Sequence, residues 1–452
     1  MPDSKPQPDS PRPASPQAEP EAGLTRRHFV QASAAFAALP LISSMSNAQE
    51  SEETAPTPTA ALDKIEIGLV GCGGRGSGAA RQALAADPGV VLTAMADVFP
   101  ERIESSLERI SKEAPEQVQV PEERRFVGFD AFQRLIDSGV DVVLLATPPG
   151  FRPEHLEAAI AANKHVFCEK PMAVDAPGVR KVLEVAATAR KKKLSIVSGF
   201  CWRYSAAERA TMQQIHDGAL GDIRAVYTTY NASPLHTNER KPEWTDVEFQ
   251  LRNWHHFNWL SGDHIVEQAC HSIDKMAWAM NGELPDKAHA VGGRIAREGE
   301  PSGHIYDHFA VTYEYPSGAR GFHMCRQISG AQYDNSDLIL GEKGVCEISG
   351  WAPRHVIRGE NSWRYTGEKN DMYQQEHDEL FKAIRAGEPM NDGDWMAYST
   401  LLSIMGRMAA YTGQTVTWEQ AFTSKEELSP DPLDWGSLAV PPVAIPGKSK
   451  LV

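Results

Sequence analysis

The chain has 452 residues, with 60 acidic against 45 basic side chains and a formal charge of −15. That length exceeds one ordinary core and predicts two domains plus tails. The acidic balance, with no basic block longer than 190–193, argues against a nucleic-acid partner.

Residues 1–61 read as a leader and linker outside the fold. The opening stretch is rich in Pro, Ser and acid, a composition too poor in apolar groups to order itself. Arg26-Arg27 then precede a short Ala-rich apolar stretch, and Ser46-Asn47-Ala48 offers small residues for cleavage. Basic pair, apolar core and small-residue site in that order read as a twin-arginine export signal. The apolar part falls short of the roughly 20 residues that span a bilayer. The expectation is a periplasmic protein, exported already folded by the twin-arginine translocase. Six cysteines occur without a CxxC pair, several in apolar runs, so no disulfide framework is expected.

Residues 64–70 alternate and then run apolar into glycine, the pattern of a buried strand entering a tight turn. Gly71, Gly73 and Gly76 give the GxGxxG spacing, with Gly74 and Arg75 inside it. The first glycine permits the turn, and the second lets the main chain approach a phosphate. The third lets the next helix, about 78–86, pack on the strand. That helix aims free N–H groups at a pyrophosphate. A second strand covers 90–96, and Asp97 ends it, 21 residues after Gly76. An acid there accepts hydrogen bonds from the adenosine ribose and repels a 2′-phosphate. NAD is therefore favoured, while Arg102 close by leaves NADP open.

Strands at 124–126, 142–146, 165–168 and 194–199 alternate with helices at 131–137, 153–163 and 176–192. This predicts an α/β architecture with a parallel, doubly wound Rossmann sheet over 62–200. Ligands bind such sheets beyond the carboxyl ends of the strands. That gathers Thr147, Pro148, His155, Glu169, Lys170 and residues 200–204 at one crevice. Pro171 stops its strand, so Lys170 is held at the strand end. A cation beside a hydroxyl under oxidation stabilises the alkoxide that develops as hydride leaves.

The second domain is read over 201–427. Asp263 is a good N-cap for one helix over 264–280. Ile265, Ala269, Ile273, Met276 and Met280 recur at helical spacing and are expected in the core. Glu267, His271 and Asp274 share another face. A carboxylate beside an imidazole orients it and raises its pKa, which makes His271 a candidate base for a hydroxyl proton. His264 and His271 do not have the spacing of a helical zinc site, and no metal is expected. Trp254, His255 and His256 precede this helix as candidates for a sugar-binding wall. Partial alternation at 309–315, 321–327 and 338–348 suits antiparallel strands with one wet face. Amphipathic helices follow at 376–386 and 396–410, and a Pro-rich extension, 428–452, is expected to wrap the surface or a partner subunit.

Taken together, the chain resembles the glucose-fructose oxidoreductase / inositol dehydrogenase / MocA family. The resemblance rests on Gly71–Gly76, Asp97, Thr147-Pro148, His155, Glu169-Lys170-Pro171, Gly199-Phe200, Arg203-Tyr204, Gly341-Glu342-Lys343-Gly344, Ser399-Thr400 and Ala410-Tyr411-Thr412-Gly413, in the family's order, over about 64–418. It implies a Rossmann domain followed by an α/β domain with a large, mostly antiparallel open sheet. That sheet walls the sugar site and often forms the oligomer interface, so a homo-oligomer is implied. The implied activity is NAD(P)-dependent oxidation or reduction of a sugar, polyol or sugar derivative. By resemblance Lys170 lies beside the nicotinamide and the substrate hydroxyl, and His271 is the general base. Arg203 joins the cofactor residues, and Tyr204 those of the substrate. Glu267 stands where the family commonly has aspartate, and either orients His271 or binds a substrate hydroxyl; Asp274 is expected to be structural. Export would favour a cofactor that stays bound and is recycled by a second sugar. The alternative is an NAD-dependent glycosidase or lyase using transient oxidation. It needs one more acid–base group, with Tyr204, Tyr306 and His256 as candidates.

Overall fold

The computed structural model describes residues 63–352 and 354–452; the export signal and linker expected over 1–61 lie outside the described residues. The first sheet has six parallel strands: β1 (Ile65–Val70), β2 (Val90–Asp97), β3 (Arg125–Val127), β4 (Val142–Leu145), β5 (His165–Cys168) and β6 (Ile196–Ser198). Their order is β3-β2-β1-β4-β5-β6. β2, β4 and β5 are buried throughout, as a sheet covered on both faces requires. Strand order reverses between β1 and β4, which opens a crevice beyond their carboxyl ends. The helix expected from 78 starts at Gly74, so the glycine turn itself forms the first helical turn. A helix over Pro100–Glu113, absent from the sequence reading, fills the space after β2.

The second sheet has nine strands. They are β7 (Ile223–Ala232), β8 (Lys287–Gly293), β9 (His308–Glu314), β10 (Arg320–Gln327), β11 (Asp337–Gly341), β12 (Gly344–Ile348), β13 (His355–Gly359), β14 (Trp363–Arg364) and β15 (Val416–Thr417). Their order is β14-β13-β12-β11-β7-β10-β9-β8-β15. Only β7 and β10 pair in parallel; the other neighbours run antiparallel. The single strand expected over 338–348 is a hairpin, β11 and β12, turning at Glu342-Lys343. β7, near the middle of this sheet, was not anticipated.

The two halves share their cores. The helix Met372–Ala386 follows β7–β14 of the second sheet in sequence, yet its Leu380, Phe381 and Ile384 join Ile65, Ile67 and Leu69 of β1 in one cluster. Each such side chain contributes about 1.5–3 kcal/mol when fully buried. The helix Gly393–Thr412 is buried along most of its length and joins both halves in the larger cluster. All six cysteines are buried and unpaired.

Candidate active site

A cavity of about 560 Å³ opens at the carboxyl ends of β1, β2, β4 and β5. Its lining includes Gly71, Gly73, Gly74, Arg75, Gly76 and Asp97, then Thr147, Pro148, His155, Glu169 and Lys170, and from the second half Trp254, His255, Glu267 and His271. Gly71 has φ +94, and a Cβ there would sit 2.7 Å from the main chain at Ala146 and Thr147. At Gly76 a Cβ would lie 1.9 Å from the Gly71 carbonyl oxygen, so only glycine lets the helix meet the strand. A Cβ at Gly74 would meet nothing, and one at Gly73 only Arg102 at 3.8 Å; that side of the turn faces open space. Gly73, the N-cap of this helix, has no side chain to cap it, which leaves the first N–H groups of the helix to the cavity.

Asp97 is held at the end of β2 by two main-chain donors, Cys72 N–H at 2.7 Å and Phe99 N–H at 3.0 Å. Burial pushes this carboxyl up from its ordinary range, against those donors and Arg102. Arg75 leaves the turn sideways: it pairs with Glu169, with Glu376 at 3.1 Å and with Gln82 at 2.8 Å. The Glu169 carboxylate also accepts the Lys170 N–H at 3.2 Å. Buried Arg152 donates to Thr147 O and Pro171 O, both at 2.6 Å, and so ties together the loops after β4 and β5. Thr147 Oγ1 lies 3.4 Å from His155 Nδ1. Burial, with Arg152 beside it, pushes the His155 imidazole down to about 3.

Lys170 reaches across to the second half. Its ammonium donates to Glu267 Oε1 at 2.9 Å and to the Glu267 main-chain oxygen. The second bond exists because the helix expected over 264–280 is broken into His264–Glu267 and Cys270–Ala279. In an unbroken helix the Glu267 carbonyl would accept from His271 N–H. That N–H instead meets Gln268 O at 3.4 Å, and the freed carbonyl faces Lys170. Asp263 caps the first piece as expected, and Ile265, Ala269, Ile273, Met276 and Met280 are all buried. Burial alone would depress the Lys170 ammonium; the Glu267 carboxylate outweighs it and holds the group above its usual range. Burial would likewise raise Glu267, but Lys170 first and His255 second hold it well below the carboxylate range.

His271 departs from expectation. Burial first, and the Lys170 ammonium second, push its imidazole well below the ordinary value, where a rise was expected. Glu267 makes its bonds to Lys170 and lies 3.6 Å from His255, so it does not orient His271. The ring rests instead on Trp202, at 5.2 Å, and edge-on against Phe200, at 5.9 Å. Its Nδ1 is buried and has no hydrogen-bond partner among the described residues.

Two family models match this chain: the oxidoreductase family with an NAD-binding Rossmann fold over residues 65–200, and the GFO/IDH/MocA C-terminal domain over residues 209–347. The chain belongs to the GFO/IDH/MocA family of oxidoreductases. It is 28% identical to trans-1,2-dihydrobenzene-1,2-diol dehydrogenase of Bos taurus over 50% of this chain and 60% of that one, less than two thirds of the relative. Identity to inositol 2-dehydrogenase of Salmonella paratyphi B is 26%, over 74% of this chain and 90% of that one. The fold is shared with aldose-aldose oxidoreductase from Caulobacter crescentus, solved with glycerol: TM-score 0.61, 22% identity, 78% and 99% of the two chains covered. It is shared too with the WlbA dehydrogenase from Bordetella pertussis, solved with NADH and UDP-GlcNAcA: TM-score 0.60, 21% identity, 78% and 97% covered.

The family's NAD-binding domain is thus present, and the residues here fit the nucleotide. The open side of the glycine turn suits a pyrophosphate, and Asp97 keeps lone pairs for ribose hydroxyls beyond its two main-chain donors. Three expected site residues lie elsewhere. Arg203 pairs with Asp274 at 2.7 Å, its guanidinium over the rings of Trp278 and Trp395. Tyr204 is buried and donates to Asp392 at 2.6 Å. His256 is buried against Arg297, whose guanidinium lies 3.0 Å from its Nδ1. Tyr306 is buried too, donating to Ala444 O at 2.9 Å. The three acid–base groups considered for a glycosidase or lyase, Tyr204, Tyr306 and His256, are therefore outside the cavity. Asp274 takes the structural place expected of it, holding Arg203 and Ser399. Sequence reasoning missed Tyr230 and Gln268, which line the cavity. Tyr230 comes from the unforeseen β7, and Gln268 sits at the unforeseen helix break.

Proposed function

We propose that this protein is an NAD-dependent oxidoreductase that moves a hydride between the nicotinamide and a CH–OH carbon of a sugar, polyol or sugar derivative. The observation that carries the reading is the meeting of Lys170, Glu267 and His271 in the cavity that also holds the glycine turn and Asp97. The relatives named as diol and inositol dehydrogenases support a polyhydroxylated substrate.

When bound, NAD supplies the hydride acceptor or donor. The chain supplies the proton chemistry. Lys170 stays an ammonium at neutral pH, because Glu267 holds it so. It cannot act as base, but donates a hydrogen bond to the substrate oxygen as negative charge develops there. His271 stays a neutral imidazole, the form that accepts a proton. With Nδ1 sealed in the protein, Nε2 is the nitrogen left to meet a substrate hydroxyl. Trp254 and His255, on the second-half wall, present flat rings to the substrate end.

The proposal extends to setting. Arg26-Arg27, the Ala-rich stretch and Ser46-Asn47-Ala48 support twin-arginine export to the periplasm. The open second sheet offers a surface for a homo-oligomer. A retained nucleotide recycled by a second substrate would suit that compartment, and Arg102 beside Asp97 keeps NADP within the reading. The test is a screen of sugars and polyols on purified holoprotein, following nicotinamide absorbance and product together. Lys170→Met is expected to abolish turnover while NADH still binds. Normal turnover in that variant would overturn the assignment.

A further inference from the structure

The segment after Leu428 lies beyond the residues matched by the family models, which end at 347. It runs along the helix Asp246–Arg252 and is bonded to it at three points. Val247 N–H donates to Gly436 O at 3.3 Å, Gln250 Nε2 to Leu438 O at 2.7 Å, and Leu438 N–H to Asp246 Oδ2 at 3.1 Å. Leu428, Leu433 and Leu438 pack on a cluster built from Phe99, Phe249, Leu251 and Phe257. Held between these anchors, Trp435 sets its ring 4.6 Å from Phe129 and 6.0 Å from Phe99.

Those two phenylalanines line the cavity just beyond Asp97, the residue that marks the adenosine ribose. Phe99 lies just after β2, at the N-cap of the helix Pro100–Glu113, and Phe129 lies in the turn after the three-residue β3. Phe99 is buried in that cluster and also carries the guanidinium groups of Arg252 at 4.0 Å and Arg102 at 5.2 Å. Phe129 has Trp435 as its nearest aromatic neighbour among the described residues. Trp435 itself is 39% exposed, more than core packing alone would leave a tryptophan. Its place is explained by what it supports.

We infer that Trp435, carried by the C-terminal extension, is a positioning residue for the adenosine end of the nucleotide site: it fixes the Phe129 and Phe99 rings and so slows the release of NAD. Flat aromatic faces held in place are what an adenine ring stacks on. This rests on the NAD-binding part of the reading above and is independent of the substrate, Lys170 and His271.

The experiment uses full-length protein loaded with NADH and chased with excess NAD, with release read by nucleotide fluorescence. Trp435→Ala is expected to release NADH about two- to tenfold faster, the scale of one aromatic pair. Trp435→Phe should return close to the parent rate. In a Phe129→Ala background, Trp435→Ala should add less than it does alone, because the nearer of the two rings it acts through is gone. Release at the parent rate in Trp435→Ala, no rescue by phenylalanine, or full additivity with Phe129→Ala would each overturn the inference. A parent protein that binds no NADH would instead overturn the nucleotide reading itself.

Discussion

Replacing Glu267 by glutamine tests the site at its most loaded contact. The shape is kept and Oε1 can still accept from Lys170, but the charge opposite the ammonium is removed. At 2.9 Å and an effective dielectric of about 20, Coulomb's law gives roughly 6 kcal/mol as a ceiling for the lost attraction. The amide dipole and the Glu267 carbonyl keep part of it, so a net loss of about 2–4 kcal/mol is reasonable. At about 1.4 kcal/mol per pKa unit, Lys170 should fall by roughly 1.5–3 units. The assay is the pH profile of kcat/KM. A reaction that needs the ammonium loses rate as pH rises through the Lys170 pKa. In the parent protein that alkaline limb lies above the ordinary lysine range, because the pKa is raised. In Glu267→Gln it should move down by more than one unit, with activity near pH 7 much less affected. A variant that loses activity equally at every pH, with the limb unmoved, would refute the claim that Glu267 acts through the charge of Lys170.

The ion pair also sets an acid limit on stability. Glu267 is depressed in the folded protein, so its contribution is present above the unfolded value, about 4.3, and is lost as pH falls below it towards the folded pKa. Thermal melts below about pH 4 should therefore fall more steeply in the parent than in Glu267→Gln. Gly76→Ala would drive a methyl group against the Gly71 carbonyl; about 1–3 kcal/mol of destabilisation and loss of NADH binding are expected, read by denaturant melts and fluorescence titration. Asp97→Ser removes the charge that repels a 2′-phosphate, and the NADPH-to-NADH ratio of dissociation constants should shift towards NADPH by about tenfold or more. Leu380→Ala, in a helix that comes between β14 and β15 of the second sheet, should cost about 2–5 kcal/mol and still show one unfolding transition, because that helix shares the core of β1; two separated transitions would contradict the shared core.

Much of the first half was legible because its signals are local. A glycine turn, a run of β-branched residues and an acid at a strand end each depend on a few consecutive residues. Thr147, Glu169 and Lys170 could thus be gathered at one crevice from strand–helix alternation, while the glycine spacing and the acid after β2 marked Gly71, Gly76 and Asp97 for the nucleotide. His271 was found by helical spacing, but its electrostatics were read with the wrong sign. Neighbours on a helix face suggested that Glu267 would charge the imidazole, whereas the carboxylate is committed to an ammonium 97 positions away. Arg203 and Tyr204 were placed at the crevice by their closeness in sequence to β6 and given their roles by the family resemblance. The turn Cys201–Tyr204 carries them to Asp274 and Asp392 instead.

The amino-acid order by itself determined the glycine turn, the parallel sheet and which lysine and histidine enter the cavity, since backbone sterics and apolar periodicity act over a handful of residues. Tertiary structure decided what those groups can do. The break after Glu267 turns a carbonyl and a carboxylate onto Lys170, the second half closes the cavity, and the helix Met372–Ala386 returns to complete the first core. A charge or a carbonyl takes its effect from whatever lies within a few ångströms, and that is set by how distant segments pack.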